Sequence, residues 1–181
     1  KLIWIKNHKV PLKSKIKVFE NKIYLINQDN RLICLDIKQG DIIWDIRSIS
    51  SFIKTQHFLA LAISKQGDLL TLNSAGDLLK VKASNGRISW AFNTTASTLI
   101  EDTDFFKSSD IVLHDNDIIF STATTVFSYN LDNGSLNWKE DIGSKNIPIV
   151  SGNNLFLVTD NGYFVNLDRK NGKIIWSTNI L

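Results

Sequence analysis

The chain has 181 residues, of which 43% are apolar and 22% charged, with a formal net charge of +3. That composition is ordinary for a globular chain with a core, and the small, scattered charge offers no polyanion-binding signature. No apolar run is long enough for a bilayer-spanning helix, neither end reads as a secretory signal, and a lone Cys34 excludes an internal disulfide and a cysteine-based metal site.

Residues 1–7 open on "KLIW", and the same phrase closes each of four later units. It reads as the outer strand of a preceding module, so the chain is expected to be a piece of a longer or processed protein. Absence of methionine agrees with that expectation. Lys1, Lys6, Lys9, Lys13, Lys15 and Lys17 crowd this end and are read as a solvated edge, since no aromatic-interleaved basic motif accompanies them.

The first full unit, about residues 10–48, carries four alternating runs: "KIKVF", "KIYLINQ", "LICLDI" and "GDIIWDI". Period-two alternation marks strands, and the polar "QDNR" between the second and third marks a turn. A second unit, about 55–95, repeats the series as "LALAI", "DLLTLNS", "LLKVKA" and "GRISWAF". The third, about 108–142, reads "DIVLH", "DIIFSTA", "VFSYNL" and "GSLNWKE", and the fourth, about 147–181, "IPIVS", "NLFLVTD", "YFVNLD" and "GKIIWST".

Every tryptophan falls at one place in this scheme. Successive spacings from Trp4 through Trp44, Trp90 and Trp138 to Trp176 are 40, 46, 48 and 38 residues. Four residues before each complete copy stands Gly40, Gly86, Gly134 or Gly172, preceded by Asn in three of them. Asn-Gly between apolar runs predicts a tight hairpin in which both central residues take positive φ. The aliphatics two places before each Trp (Ile42, Ile88, Leu136, Ile174) predict one fixed strand face beside a free one. Four-stranded antiparallel units of about forty residues, without helical periodicity, predict an all-β chain: a β-propeller with about four blades in a single partial domain. A large aromatic repeated in every blade fits the seams between blades, because a ligand-binding indole is needed once.

"LICLDIKQGDIIW", and nearly so "YFVNLDRKNGKIIW", resembles the repeat of pyrroloquinoline-quinone-type (PQQ-like) eight-bladed propellers. Within that group "STLIEDTDFFKSSDIVLHDNDIIF", "NLDNGSLNWKEDIGSKN" and "IVSGNNLFLVTDN" are similar in order to the BamB family of outer-membrane protein assembly factors. The resemblance implies four of eight blades from the middle of the ring. It also implies a periplasmic, outer-membrane-associated lipoprotein of a Gram-negative bacterium, whose lipid-bearing cysteine lies outside this chain. Such a protein is a non-enzymatic scaffold of the barrel-assembly (BAM) complex. It binds BamA and, as a further client, unfolded outer-membrane proteins.

Catalytic signatures are missing from the sequence. His8, His57 and His114 lack zinc-type spacing, and no nucleophile elbow or phosphate loop occurs. The Asp/Asn-rich "NQDNR", "HDND", "TDNG" and "LDNG" are what turns require, without the spacing of a calcium loop. No cofactor, metal or nucleic acid is therefore expected. The rival is a fragment of a PQQ-dependent dehydrogenase. A second rival is a sensor or interaction propeller with another protein partner.

Partner contacts are expected where length varies between units. The connection 47–58 carries Phe52, Ile53 and Lys54, an apolar-plus-cation group. The connection 93–110 carries Glu101, Asp102 and Asp104 beside Phe105 and Phe106. By resemblance, BamA is bound through these same two connections, by an aliphatic-and-arginine patch and an Asp-x-Asp pair. This sequence departs from that pattern: Phe105 to Lys107 fall where the paired aspartates would be, and no arginine follows Lys54. Exposed blade faces at the two ends of a half-ring are expected to be covered by further blades or by a homodimer closing the ring.

Overall fold

Alternating residues at each strand-like run form strands that pair with their nearest neighbours in sequence. A computed structural model describes residues 2–47, 58–73, 76–94 and 108–181. Among them are sixteen strands and no helix, grouped as four separate four-stranded antiparallel sheets. The first sheet holds β1 (Lys17–Phe19), β2 (Lys22–Ile26), β3 (Arg31–Asp36) and β4 (Ile42–Arg47). The second holds β5 (Ala60–Ile63), β6 (Asp68–Leu72), β7 (Asp77–Lys82) and β8 (Ile88–Asn93). The third holds β9 (Val112–His114), β10 (Asp117–Ser121), β11 (Val126–Asn130) and β12 (Leu136–Glu140). The fourth holds β13 (Ile149–Ser151), β14 (Asn154–Val158), β15 (Tyr163–Asp168) and β16 (Ile174–Asn179). Each sheet is a propeller blade, and the all-β blade architecture is the one the repeat predicts. The blades fall into two compact units, Lys1–Phe105 and Phe106–Leu181, with two blades apiece.

Burial concentrates on the middle strands, because they alone are flanked by strands on both sides. In the first unit one core joins Tyr24, Ile26, Leu32 and Cys34 of the first blade to Leu59, Leu61, Leu69, Leu79, Val81 and Ala83 of the second. In the second unit Ile119, Val126 and Trp138 meet Leu155, Leu157, Val165 and Leu167. At about 1.5–3 kcal/mol per fully buried aliphatic or aromatic side chain, these blade-to-blade cores are the main stabilising element of each unit.

The turn before each tryptophan differs from the sequence expectation. Gly40, Gly86, Gly134 and Gly172 do take positive φ, at +71°, +74°, +73° and +75°, but Asn85, Asn133 and Asn171 do not. The loop is longer than a two-residue hairpin. Each glycine N–H donates to the carbonyl four residues back, at 2.8–2.9 Å. Only its last residue is left-handed, which is why glycine recurs there. The asparagine instead acts through its side chain, whose Oδ1 accepts the backbone N–H two residues on, from Arg87, Ser135 and Lys173.

The aliphatics two places before each Trp, expected to mark one fixed strand face, lie on the exposed side: Ile42, Ile88, Leu136 and Ile174 are all exposed. The register slips by one residue in every blade, between Cys34 and Leu35, Lys80 and Val81, Ser128 and Tyr129, and Asn166 and Leu167. A bulge of this kind breaks strict alternation. It brings each tryptophan opposite Cys34, Lys80, Ser128 or Asn166 of the adjacent strand. The aliphatic is left on the outermost strand of its sheet, exposed.

Candidate functional site

The eight residues expected to bind a partner, Phe52, Ile53, Lys54, Glu101, Asp102, Asp104, Phe105 and Phe106, lie outside the described residues. What is described is how their connections are anchored. The first leaves at Arg47 and returns at Phe58, whose ring is 73% exposed, then at Leu59, whose N–H bonds to Lys13 O at 2.5 Å. Phe58, the last residue of this connection, is an exposed aromatic that sequence reasoning did not single out. The second leaves from Thr94, which donates both its N–H and its hydroxyl to Gly76 O (2.8 and 2.9 Å). It ends in the second unit, where Ser109 donates its N–H to Ser121 O (2.7 Å) and its Oγ accepts from Ser121 N (3.0 Å). Firm ends on both sides make these connections suitable for presenting a contact surface.

Three of the tryptophans, Trp4, Trp44 and Trp138, share one recurring arrangement. Trp44 of the first blade lies on the turn glycine of the second: a Cβ on Gly86 would come within 2.9 Å of its ring. Its Nε1–H donates to Ala83 O at 3.2 Å. Trp138 lies on Gly172 in the same manner and donates to Arg169 O at 2.7 Å. Residues 2–8 form no strand, yet Trp4 lies on Gly40 and donates to Ile37 O at 2.9 Å. In all three the acceptor stands three residues before the glycine. The indole thus reads an αL glycine and one carbonyl of the next turn, and a side chain on the glycine would lift it off. Trp90 is half-buried and stacks with Phe92, ring centroids 5.4 Å apart. Trp176 is 40% exposed, against 8% for Trp138, and meets Phe164 edge-on at 5.3 Å.

The two described seams differ in their electrostatics. Between the first two blades the contact is mainly apolar, and Tyr24 donates its hydroxyl to Ala83 O at 3.2 Å. Between the third and fourth, the buried Arg169 reaches across to Asp117 and Asp115 (3.1 Å to the latter), while its Nε donates to Gly152 O at 3.0 Å. That arginine escaped sequence reasoning. Its signal was its place in the repeat, where the other blades carry Ile37, Ala83 and Leu131.

Burial and ion pairing shift a few titratable groups in the blades. Burial raises the Cys34 thiol above its ordinary range, so it is a weak nucleophile, and burial pushes the Tyr129 phenol up to about 12. Burial opposes the charge on Asp68, but Lys82 at 2.6 Å and Lys80 at 3.1 Å hold its carboxyl below the usual carboxylate range. His114 lies 3.5 Å from Asp115, His57 is outside the described residues, and no group of three metal-ligating side chains comes together among the described residues.

A family model described as outer membrane protein assembly factor BamB matches residues 1–178. The chain is 25% identical over 164 residues to an uncharacterized protein of Rickettsia prowazekii, covering 88% of this chain and 39% of that one. It is 23% identical over 163 residues to an uncharacterized protein of Rickettsia conorii, covering 86% and 38%. The chain thus spans about two-fifths of the length of these curated relatives. Among solved structures it is similar to BamB from Moraxella catarrhalis, with TM-score 0.56, 11% identity, and coverage of 98% of this chain and 67% of that one. It is also similar to a quinohemoprotein alcohol dehydrogenase from Comamonas testosteroni, with TM-score 0.76, 12% identity, and coverage of 94% and 35%. At such identities the structural likeness establishes the blade fold alone.

Proposed function

Because this chain belongs to the family of the outer membrane protein assembly factor BamB, we propose that it is part of a non-enzymatic scaffold of the barrel-assembly machinery. In this reading it stands in the periplasm at the outer membrane, tethered by a lipid outside this chain, as half of an eight-bladed ring. It binds a BamA-like partner through the connections 47–58 and 93–110, and the bound assembly receives unfolded outer-membrane proteins. The observation that carries the reading is the use of the indoles. Trp4, Trp44 and Trp138 each spend one ring face on a glycine and the Nε1–H on a carbonyl. Indoles committed in this way serve the packing of the blades. They fit a rigid support whose specificity lies in its connecting loops, with little ordering cost on binding.

The test is capture of the BamA homologue from the same organism, comparing the wild-type protein with a variant carrying Glu101→Lys, Asp102→Lys and Asp104→Lys. The expected result is saturable binding by the wild type and at least about ten-fold weaker binding by the variant, as loss of a charged contact patch produces. No capture by the wild type would defeat the reading, and equal capture by the variant would remove the acidic connection from it.

A dehydrogenase reading draws on one specific observation, the higher TM-score to the quinohemoprotein enzyme. It is separated by adding PQQ and calcium to the protein and following reduction of an artificial electron acceptor. The scaffold reading expects none.

A further inference from the structure

Asparagine followed by glycine occurs four times, at Asn85, Asn133, Asn161 and Asn171. This pair carries latent chemistry. Glycine has no side chain to shield its nitrogen, so that nitrogen can reach the carbonyl carbon of the preceding carboxamide. Three of the four pairs lie in the turns before tryptophans, and there the side chains are engaged. The Oδ1 of Asn85, Asn133 and Asn171 accepts the N–H of Arg87, Ser135 and Lys173 at 3.0, 2.9 and 2.9 Å. A carboxamide held forward onto the second residue after it must let go before its carbon can turn to the glycine nitrogen.

Asn161 is placed differently. It lies in the turn between β14 and β15, exposed, and its side chain makes no hydrogen bond to a described residue. Asp29, Ala75 and Ala123 stand at this place in the other repeats of the sequence, so the pair belongs to the fourth repeat alone. The glycine nitrogen is restrained by one bond, from Gly162 N–H to Thr159 O at 3.0 Å.

We propose that Asn161 is a deamidation site, the first of the four asparagines to react in the folded chain. The Gly162 N–H gives up its proton and the nitrogen attacks Asn161 Cγ, forming an N–C bond. The carboxamide nitrogen leaves with that proton as ammonia. Water then opens the resulting succinimide at either carbonyl, giving aspartate or isoaspartate. The product carries one more negative charge, beside Asp160, whose carboxylate pairs with Lys145 at 3.3 Å. At the other three sites the side-chain hydrogen bond must also open, which at the net worth of one such bond slows attack about five-fold.

The experiment incubates the folded wild-type chain in mildly alkaline buffer, which favours loss of the glycine proton, and follows it by peptide mass spectrometry. Cleavage after lysine and arginine puts the four asparagines on separate peptides. The mass reads the change from amide to acid, and fragmentation places it. Asn161 is expected to convert at least about five-fold faster than Asn85, Asn133 or Asn171, with isoaspartate among its products. A parallel sample in concentrated guanidinium chloride lacks the turns, and there the lead of Asn161 is expected to vanish. Equal rates in the folded chain, a different asparagine leading, or the same lead for Asn161 in denaturant would each overturn the assignment.

Discussion

Replacement of Gly143 by alanine is expected to destabilise the second unit severely. Gly143 has ordinary φ, so the cost is not conformational preference. A Cβ there would lie 2.1 Å from both the carbonyl carbon and oxygen of Ala123 and 2.2 Å from Thr124 N. All three atoms are backbone, and no side-chain rotation can relieve the overlap. The segment cannot retreat cheaply either. The next residue, Ser144, is fully buried, with its N–H bonded to Thr122 O at 2.8 Å and Ser121 Oγ at 2.9 Å. Its own hydroxyl donates to Val158 O at 2.5 Å. Withdrawal would break these bonds, at about 1 kcal/mol each before the desolvation of what is left unpaired. A loss above about 4 kcal/mol is expected, a large share of the 5–15 kcal/mol that keeps an ordinary domain folded. Gly152→Ala is the control. Gly152 has φ +59° but nothing within 4 Å of a built Cβ, so only the left-handed backbone cost of roughly 1–2 kcal/mol remains. Urea unfolding followed by tryptophan fluorescence distinguishes the two, and a Gly143→Ala protein as stable as Gly152→Ala would contradict the close approach.

Truncation of Trp138 to alanine is expected to cost about 3–5 kcal/mol, the usual range for a buried large aromatic. The indole is 8% exposed and packs with Ile119, Val126, Leu155 and Leu167. Its loss uncovers Gly172 and leaves Arg169 O without the indole donor. Trp138→Phe restores most of the packing but not the hydrogen bond, so it should fall between. Trp176→Ala, made at a ring that is 40% exposed, should cost no more than about 1 kcal/mol. The informative quantity is the difference between the two alanine variants, since both remove the same atoms from the same place in a blade.

Blade architecture was legible in the sequence because three local signals agree at every repeat. Alternation marks strands, the glycine marks the last turn residue, and an aromatic recurs at one register. What escaped were the departures from alternation and from the repeat itself. A bulge leaves no local signature, so the recurring aliphatics Ile42, Ile88, Leu136 and Ile174 marked a fixed strand face without showing that it is exposed. Asparagine before glycine has two physical uses, left-handed backbone or side-chain acceptor, and Asn85, Asn133 and Asn171 take the second. Arg169 was visible only as a charged residue where sister blades carry Ile37, Ala83 and Leu131, a signal that emerges after the repeats are superimposed. Gly143 lies in a short link whose close approach to Ala123 depends on tertiary packing alone. For the partner-binding residues, the sequence supplied the two length-variable connections, and Phe52–Lys54 and Glu101–Phe106 remain sequence-based expectations.

Tryptophans packed on the turn glycine of the next blade, as Trp44 and Trp138 are, carry both the fold and the scaffold function proposed for it. Incorporation of 5-fluorotryptophan, with the fluorine resonances compared in H₂O and D₂O, reads the solvent exposure of each indole separately. The smallest solvent-isotope shift is predicted for Trp138, the largest for Trp176, and intermediate values for Trp4, Trp44 and Trp90, with no line moving when PQQ and calcium are added. A Trp138 resonance as solvent-sensitive as that of Trp176, or any line shifted saturably by the quinone, would contradict the wedge role.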